Sequence, residues 1–190
     1  MSPIVVLGAS DFGRETFFHV RDALGEEQAA KIVFFDEKSQ FDFLDFENKY
    51  RCLILKDIVQ LNTFRQNNTH SRFSVGVGVP QTKQLLVEKA LSVGLVPAPT
   101  LVHPRALVQD SSCHLGLGGV ICPGVAITTN VFLGNYVVLN FNTTVGHDCI
   151  IEEYVTCNPG VQVSGKVVLR RKVFAGVRCV IREGITVPGE

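Results

Sequence analysis

The residues of this chain best suited to proton transfer are His147 and the neighbouring Asp148. Among the five histidines of the sequence, His147 is the one that stands beside other groups suited to catalysis. A carboxylate that accepts a hydrogen bond from one ring nitrogen selects the neutral tautomer whose other nitrogen is free to act as a base. We expect Asn140, earlier in the same stretch, to lie within reach on a neighbouring face. On sequence position alone, a solvated surface histidine remains an alternative.

A second candidate site is the turn Gly8–Gly13, which follows the short apolar run Ile4–Leu7 and precedes an amphipathic stretch ending near Leu24. This order predicts a buried strand, a glycine turn and a helix. Such a turn can present backbone N–H groups and a helix N-terminus to a phosphate. The glycines match G-x-x-x-x-G, short of the full dinucleotide motif, and a purely steric need for glycine explains them equally well.

Two further residues are predicted at the same edge of the sheet. Asp36 ends the second predicted strand, Lys31–Phe35, where a carboxylate commonly meets a sugar hydroxyl. A helix cap or a solvated loop charge is the alternative for Asp36. Gly78 follows the fourth predicted strand, Phe73–Val77, at the carboxyl end where ligands of parallel sheets bind.

The first half of the chain alternates predicted strands and helices. A third strand is expected at Arg51–Leu55, and helices at Asp57–Phe64 and Gln81–Val93, with an irregular loop at residues 39–50. This alternation predicts a small parallel α/β layer of Rossmann-like type.

The second half repeats an apolar residue at every sixth position from Leu115 onward, thirteen times in succession. A period of six fits neither a helix nor a hairpin and is typical of a hexapeptide β-helix. Since one coil cannot bury its own inner row, stacked coils share a continuous apolar interior. The predicted inward residues are Leu115, Ile121, Ile127, Leu133, Leu139, Val145, Ile151, Cys157, Val163, Leu169, Ala175, Ile181 and Val187.

The repeat also predicts the coils. Three hexads make one triangular coil, so residues 115–187 supply about four coils. We expect Val108 to be the first inward residue, with one extra residue bulging before Leu115. The residue after each inward one, for example Gly116 or Gly134, is predicted to turn the corner.

Prolines at positions 97, 99 and 104 predict a stiff, extended connector over Leu95–Pro104. The domain boundary is therefore placed there. It separates a Rossmann-like domain, 1–98, from a β-helix domain, 99–190, whose last repeat is incomplete.

Composition excludes several classes of function. Lys and Arg total 18, and so do Asp and Glu, so no net field favours nucleic acid or a membrane surface. The sequence lacks the ~18 consecutive apolar residues of a transmembrane helix and a signal peptide's charged start. The six cysteines form no CxxC pair, which favours reduced structural thiols over metal ligands or disulfides and points to the cytoplasm.

Together these motifs resemble the bacterial two-domain sugar acetyltransferases, which include nucleotide-amino-sugar N-acetyltransferases and sialic acid O-acetyltransferases. The resemblance covers essentially the full chain. Its most specific motif is L-N-x-x-x-x-x-x-H-[DE], matched from Leu139 to Asp148. The glycine turn, Asp36, the H-P-x-A motif at His103–Ala106 and P-G-x-x-x-x-G at Pro159–Gly165 also match.

The resemblance implies an α/β Rossmann-like domain followed by a left-handed parallel β-helix. It implies acyl transfer from acetyl-CoA to an amine or hydroxyl of a sugar in polysaccharide biosynthesis. His147 would act as the base in a direct attack, with Asp148 raising its basicity and Asn140 nearby. Neither a metal nor a covalent intermediate is implied.

The resemblance also implies a homotrimer in which acetyl-CoA lies between neighbouring β-helices. The acetyl-CoA contacts would be Thr156, Gly165, Gly176 and Val177. The sugar or sugar nucleotide would bind at Gly8, Ser10, Asp11, Phe12, Gly13, Asp36, Gly78 and Lys83.

Three departures from the family pattern carry expectations of their own. Asp11-Phe12 replaces the usual Gly-His, and a carboxylate there would repel a pyrophosphate. Thr156 replaces a second histidine, although its hydroxyl can still donate one hydrogen bond to the thioester. The repeats stop one to two rows early, so we expect a shortened acetyl-CoA groove. A non-catalytic trimeric protein of the same fold, binding sugar nucleotides or assisting a partner enzyme, is the alternative.

Overall fold

The computed structural model describes residues 2–38, 50, 52–109 and 111–190. The chain divides into two compact units, Met1–Val77 with Thr82–Ala98, and Gly78–Gln81 with Pro99–Glu190. Residues 39–49 of the predicted loop, Arg51 at the start of a predicted strand, and Asp110 in the predicted bulge lie outside the described residues.

The first unit is a parallel α/β layer with strand order β3-β2-β1-β4-β5. Its strands are β1 (Ile4–Leu7), β2 (Ile32–Phe35), β3 (Leu53–Leu55), β4 (Arg72–Val75) and β5 (Val96–Pro97). The helices, in chain order, are α1 (Asp11–Leu24), α2 (Glu26–Ala29), α3 (Ile58–Asn67) and α4 (Pro80–Ser92). Every residue of β2 is buried, as expected for strands covered on both faces.

Local signals set the helix ends, and the predicted boundaries differ from the observed ones by one to three residues. The Asp57 side chain caps α3 by accepting a hydrogen bond from the N–H of Gln60 at 2.8 Å. Pro80 begins α4, where its missing N–H has no partner to lose. Gly25, with φ of 91°, ends α1 in a backbone conformation that other residues rarely adopt.

The prediction of a connector over Leu95–Pro104 is wrong. Val96–Pro97 is the edge strand of the first sheet, and Leu101–Val102 is already the first strand of the β-helix. Proline is tolerated in β5 because an edge strand carries hydrogen bonds on one side alone.

The second unit stacks two-residue parallel strands into three sheets of five strands each, which fits a left-handed β-helix. Sheet I contains β6 (Leu101–Val102), β9 (Val120–Ile121), β12 (Val138–Leu139), β15 (Thr156–Cys157) and β18 (Phe174–Ala175). Sheet II contains β7 (Leu107–Val108), β10 (Ala126–Ile127), β13 (Thr144–Val145), β16 (Gln162–Val163) and β19 (Val180–Ile181). Sheet III contains β8 (His114–Leu115), β11 (Phe132–Leu133), β14 (Ile150–Ile151), β17 (Val168–Leu169) and β20 (Thr186–Val187).

The predicted inward row is confirmed, and it begins earlier than expected. All thirteen predicted residues occupy the second position of a strand, and those from Ile121 to Ile181 are at most 7% exposed. Val102, not Val108, is the first inward residue, because it pairs with Ile121. The sheets hold five strands each, because β6 and β7 precede the roughly four coils predicted for residues 115–187. Burying each Leu, Ile or Val of this row contributes about 1.5–3 kcal/mol.

The corners differ from the prediction. The turn falls two and three residues after each inward residue, and the third commonly has positive φ, as at Asn130 (54°) and Asp148 (59°). The residue directly after the inward one is often small for another reason. A Cβ on Gly134 would lie 2.8 Å from the backbone nitrogen of Glu153, so stacking leaves no room there.

Candidate active site

His147 lies at the corner between β13 and β14, where sheet II gives way to sheet III. Its side chain is 49% exposed, and its Nδ1 is 2.8 Å from Oδ2 of Asp148. A carboxylate can only accept, so the neutral ring donates from Nδ1. Nε2 then carries the lone pair, as a general base requires.

Asp148 is held from both sides. Nδ2 of Asn130 donates to its Oδ1 at 2.7 Å, while its Oδ2 faces His147. The hydrogen bond from Asn130, followed by that with His147, lowers the pKa of Asp148 below its ordinary value. The carboxyl group is therefore ionised at neutral pH and available to accept the ring proton.

The imidazole of His147 lies against Gly165, one coil further along. A Cβ on Gly165 would stand 2.6 Å from both Cε1 and Nε2 of the ring. A Cβ on Gly146, next to the histidine, would stand 2.7 Å from the backbone nitrogen of Gly165. Gly165, predicted as an acetyl-CoA contact, thus also makes room for the histidine ring.

Asn140 was predicted to lie within reach of His147, but the hydrogen bond of its side-chain oxygen is made to its own neighbour in the chain. The Asn140 side-chain oxygen accepts from the backbone N–H of Phe141 at 2.7 Å. The structure brings together His147, Asp148 and Gly165.

Thr156, whose hydroxyl was predicted to donate to the thioester, makes a hydrogen bond within the chain. The residue is 1% exposed, and Oγ1 donates to the carbonyl of Gly78 at 2.6 Å. Gly78, predicted to contact the sugar, belongs to the second unit and accepts this bond. Gly176 and Val177 lie on the turn after β18, where Val177 is 66% exposed and a Cβ on Gly176 would meet open space.

The glycine turn of the first unit is a place of close backbone approach. A Cβ on Gly13 would lie 2.2 Å from the carbonyl oxygen of Gly8, whose φ is 104°. Gly76, after β4, is just as constrained, since a Cβ there would lie 2.5 Å from Cγ1 of Val6. The sequence prediction missed Gly76, although a glycine inside the predicted strand Phe73–Val77 was a usable signal of close backbone approach. The steric explanation of these glycines therefore has direct support.

Asp36 joins the end of β2 to this turn. Its Oδ2 accepts from the N–H of Ala9 and its Oδ1 from the N–H of Lys38, both at 2.9 Å. Asp11, at the start of α1, forms an ion pair with Arg14. The arginine offsets part of the negative charge that was expected to repel a pyrophosphate.

The remaining predicted sugar contacts are Ser10, Phe12 and Lys83. Ser10 precedes α1 with extended backbone, and Phe12 is half-buried in its first turn. Lys83 is 0% exposed within α4, so its ammonium group does not reach the surface as a sugar contact would. His103 of the H-P-x-A motif is also buried, and its Nδ1 accepts from the N–H of Arg105 at 3.0 Å.

Within the described residues, no group of three or more His, Cys, Asp or Glu side chains is arranged to hold a metal ion. Across the same ranges, no helix combines the length and apolar character needed to cross a membrane.

Comparisons with known proteins show what the chain as a whole is similar to. No family model matches the chain. GDP-perosamine N-acetyltransferase of Escherichia coli O157:H7 is 29% identical over 188 residues, which are 95% of this chain and 78% of that protein. The family resemblance seen in the motifs is thereby confirmed.

Solved structures show that the fold is shared. A mutant of perosamine N-acetyltransferase from Caulobacter crescentus, in complex with CoA and GDP-perosamine, matches with a TM-score of 0.84 at 22% identity, over 98% of this chain and 82% of its own. WeeI from Acinetobacter baumannii AYE has a TM-score of 0.72 at 21% identity, covering 100% and 97%. The acetyltransferase domain of PglB from Neisseria gonorrhoeae FA1090 has a TM-score of 0.71 at 24% identity, covering 98% and 96%.

Proposed function

We propose that this chain is an acetyl-CoA-dependent N-acetyltransferase whose acceptor is the amino group of a nucleotide-linked sugar. The observation that carries the proposal is the His147–Asp148 pair, aligned at 2.8 Å with the ring against Gly165. The similarity to a GDP-perosamine N-acetyltransferase supports an amine acceptor over a hydroxyl.

In the proposed reaction, the amine nitrogen attacks the thioester carbonyl carbon directly. A C–N bond forms, the C–S bond breaks and coenzyme A leaves as its thiolate. Nε2 of His147 takes the proton from the amine, and Asp148 stabilises the imidazolium that results. A general base of this kind contributes roughly 10²–10⁴-fold to the rate.

The first unit is proposed as a Rossmann-like site for the nucleotide sugar. Its strand order reverses between β1 and β4, and ligands of such sheets bind beside that point at the carboxyl ends of strands. The Gly8–Gly13 turn and Asp36 lie there. The ion pair of Asp11 with Arg14 supports tolerance of a phosphate near this turn.

We propose further that the protein is a homotrimer in the cytoplasm. Phe132 and Ile150, on the outward row of sheet III, are each 44% exposed, and an apolar strip on a flat sheet favours association between copies. The acetyl-CoA groove would run past Gly165, Gly176 and the exposed Val177. Free thiols at all six cysteines fit a reducing compartment.

A thiol-release assay with acetyl-CoA tests the proposal. The acceptors are GDP-, UDP- and dTDP-linked amino sugars, a free amino sugar, CMP-sialic acid and sialic acid. We expect turnover on a nucleotide-linked amino sugar, with mass spectrometry showing one added acetyl group. Turnover confined to sialic acid would refute N-acetylation. Binding of a nucleotide sugar without turnover of any acceptor would instead support the non-catalytic alternative.

A further inference from the structure

We propose that Asn130 is a positioning residue that orients Asp148 and thereby selects the tautomer of His147. Its effect on turnover rests on the proposed function, whereas its effect on the ring can be measured without any substrate.

Asn130 stands one full coil, eighteen residues, before Asp148. Its Nδ2 donates to Oδ1 of Asp148 at 2.7 Å, and the other carboxylate oxygen, Oδ2, lies 2.8 Å from Nδ1 of His147. The two oxygens therefore have different partners. Rotation of the carboxylate breaks one bond or the other, so the amide holds the group in the orientation that the imidazole needs.

Asn130 is itself anchored. Its backbone N–H donates to Oγ of Ser112 at 2.8 Å, and that hydroxyl lies 3.3 Å from Oγ1 of Thr129. Asn130 and Asp148 both have left-handed backbone, with φ of 54° and 59°. Asparagine tolerates this conformation better than most residues. The corner thus carries a polar ladder of Ser112, Asn130 and Asp148 that ends at His147.

The amide has the chemistry that this place requires. It is an uncharged donor, so it binds the carboxylate without adding a positive charge that would compete with His147 for it. The hydrogen bond from Asn130 is also the largest influence lowering the pKa of Asp148.

The test is Asn130→Gly, which removes the amide and keeps positive φ accessible. Asn142→Gly is the matched control, because Asn142 has φ of 56° at the corner between β12 and β13, away from His147. Nitrogen-15 NMR of the ring reports the tautomer, carbon-13 NMR reports Asp148, and steady-state kinetics separates kcat from KM.

For Asn130→Gly we expect a smaller fraction of the Nδ1–H tautomer, a raised pKa of Asp148, and a fall in kcat of about ten-fold at unchanged KM. Asn142→Gly should match the wild type. Asn130→Asp, a near-isosteric second variant, should show the same tautomer change, since two carboxylates then face each other. An unchanged tautomer and unchanged Asp148 titration in folded Asn130 variants would overturn the proposal. Should the wild-type protein prove inactive, the proposed function fails, and the ring measurement still decides the role of Asn130.

Discussion

The corner at His147 and the turn at Gly8–Gly13 build a candidate site in opposite ways. At the corner, the side chains project from a scaffold whose strands and turns repeat coil after coil. At the turn, backbone atoms of β1, α1 and the segment after β4 are themselves in close contact, with a Gly13 Cβ position 2.2 Å from the oxygen of Gly8.

At the corner, the residues of the candidate site are distinct from those that stabilise the fold. At the glycine turn, the same residues serve both purposes. The side chain of His147 projects from the corner and is about half exposed, so we expect its replacement to leave the buried inward row packed as before. The glycine turn is less tolerant of substitution, because the backbone atoms that would face a ligand are also in close contact with one another. Substitutions should therefore affect catalysis alone at the corner, and stability together with binding at the turn.

The largest expected effect on stability comes from truncating a buried side chain of the β-helix interior outside the candidate site. Leu139→Ala truncates a side chain that is 0% exposed in the coil interior and should lower the free energy of unfolding by about 2–5 kcal/mol. Gln162→Ala, at an outward strand position, should change it by less than about 0.5 kcal/mol. Urea unfolding measures both. Leu139→Ala with wild-type stability would contradict the shared interior.

Gly13→Ala should combine two effects. The added methyl group would overlap the Gly8 carbonyl, which we expect to destabilise the first unit by about 1–3 kcal/mol. The KM for the nucleotide sugar should rise as well, because the turn changes shape. Hydrogen exchange of the α/β unit measures the loss of stability, and steady-state kinetics measures the change in KM. A change in KM without any change in exchange would show that site and packing are separable here.

Gly165→Ala should act on the chemistry with little effect on stability. A methyl group at this position would stand 2.6 Å from two ring atoms of His147, so the imidazole must shift. We expect kcat to fall about ten-fold. Ser164→Ala, the preceding residue, serves as the control. Equal kcat for both variants would show that the ring does not depend on Gly165.

The smallest expected effect is the dependence of the Asp148 hydrogen bonds on pH. The lowered pKa of Asp148 means that its bonds to Asn130 and His147 are present above its ordinary value of about 3.9 and are lost as pH falls through the lower, folded-state value. A carbon-13 NMR titration should therefore give Asp148 a pKa below about 3.9. A midpoint at or above that value would mean that the carboxylate is not held.

The period of six was enough to predict the β-helix interior, because each inward position has one physical requirement, to be apolar and buried. Val102 was missed although it lies six residues before Val108, because it falls in the proline-rich stretch that was assigned to a connector. The corner was misplaced because the small residue after each inward position reflects close stacking of coils, not the turn itself.

The site was predictable in part. His147 and Asp148 are adjacent in sequence, so their contact follows from local geometry. Asn130 was missed, although its separation of eighteen residues from Asp148 equals the coil length. The burial of Thr156 and Lys83 was not predicted, because burial of a polar side chain depends on tertiary packing that no local pattern records.

The most direct test of the account compares His147→Gln with His70→Gln. His70 is an exposed histidine of the first unit, between α3 and β4. With acetyl-CoA and a nucleotide-linked amino sugar, we expect His147→Gln to lose roughly 10²–10⁴-fold in kcat at similar KM and unchanged stability. His70→Gln should stay close to the wild type. Equal kcat for the wild type and folded His147→Gln would contradict the account.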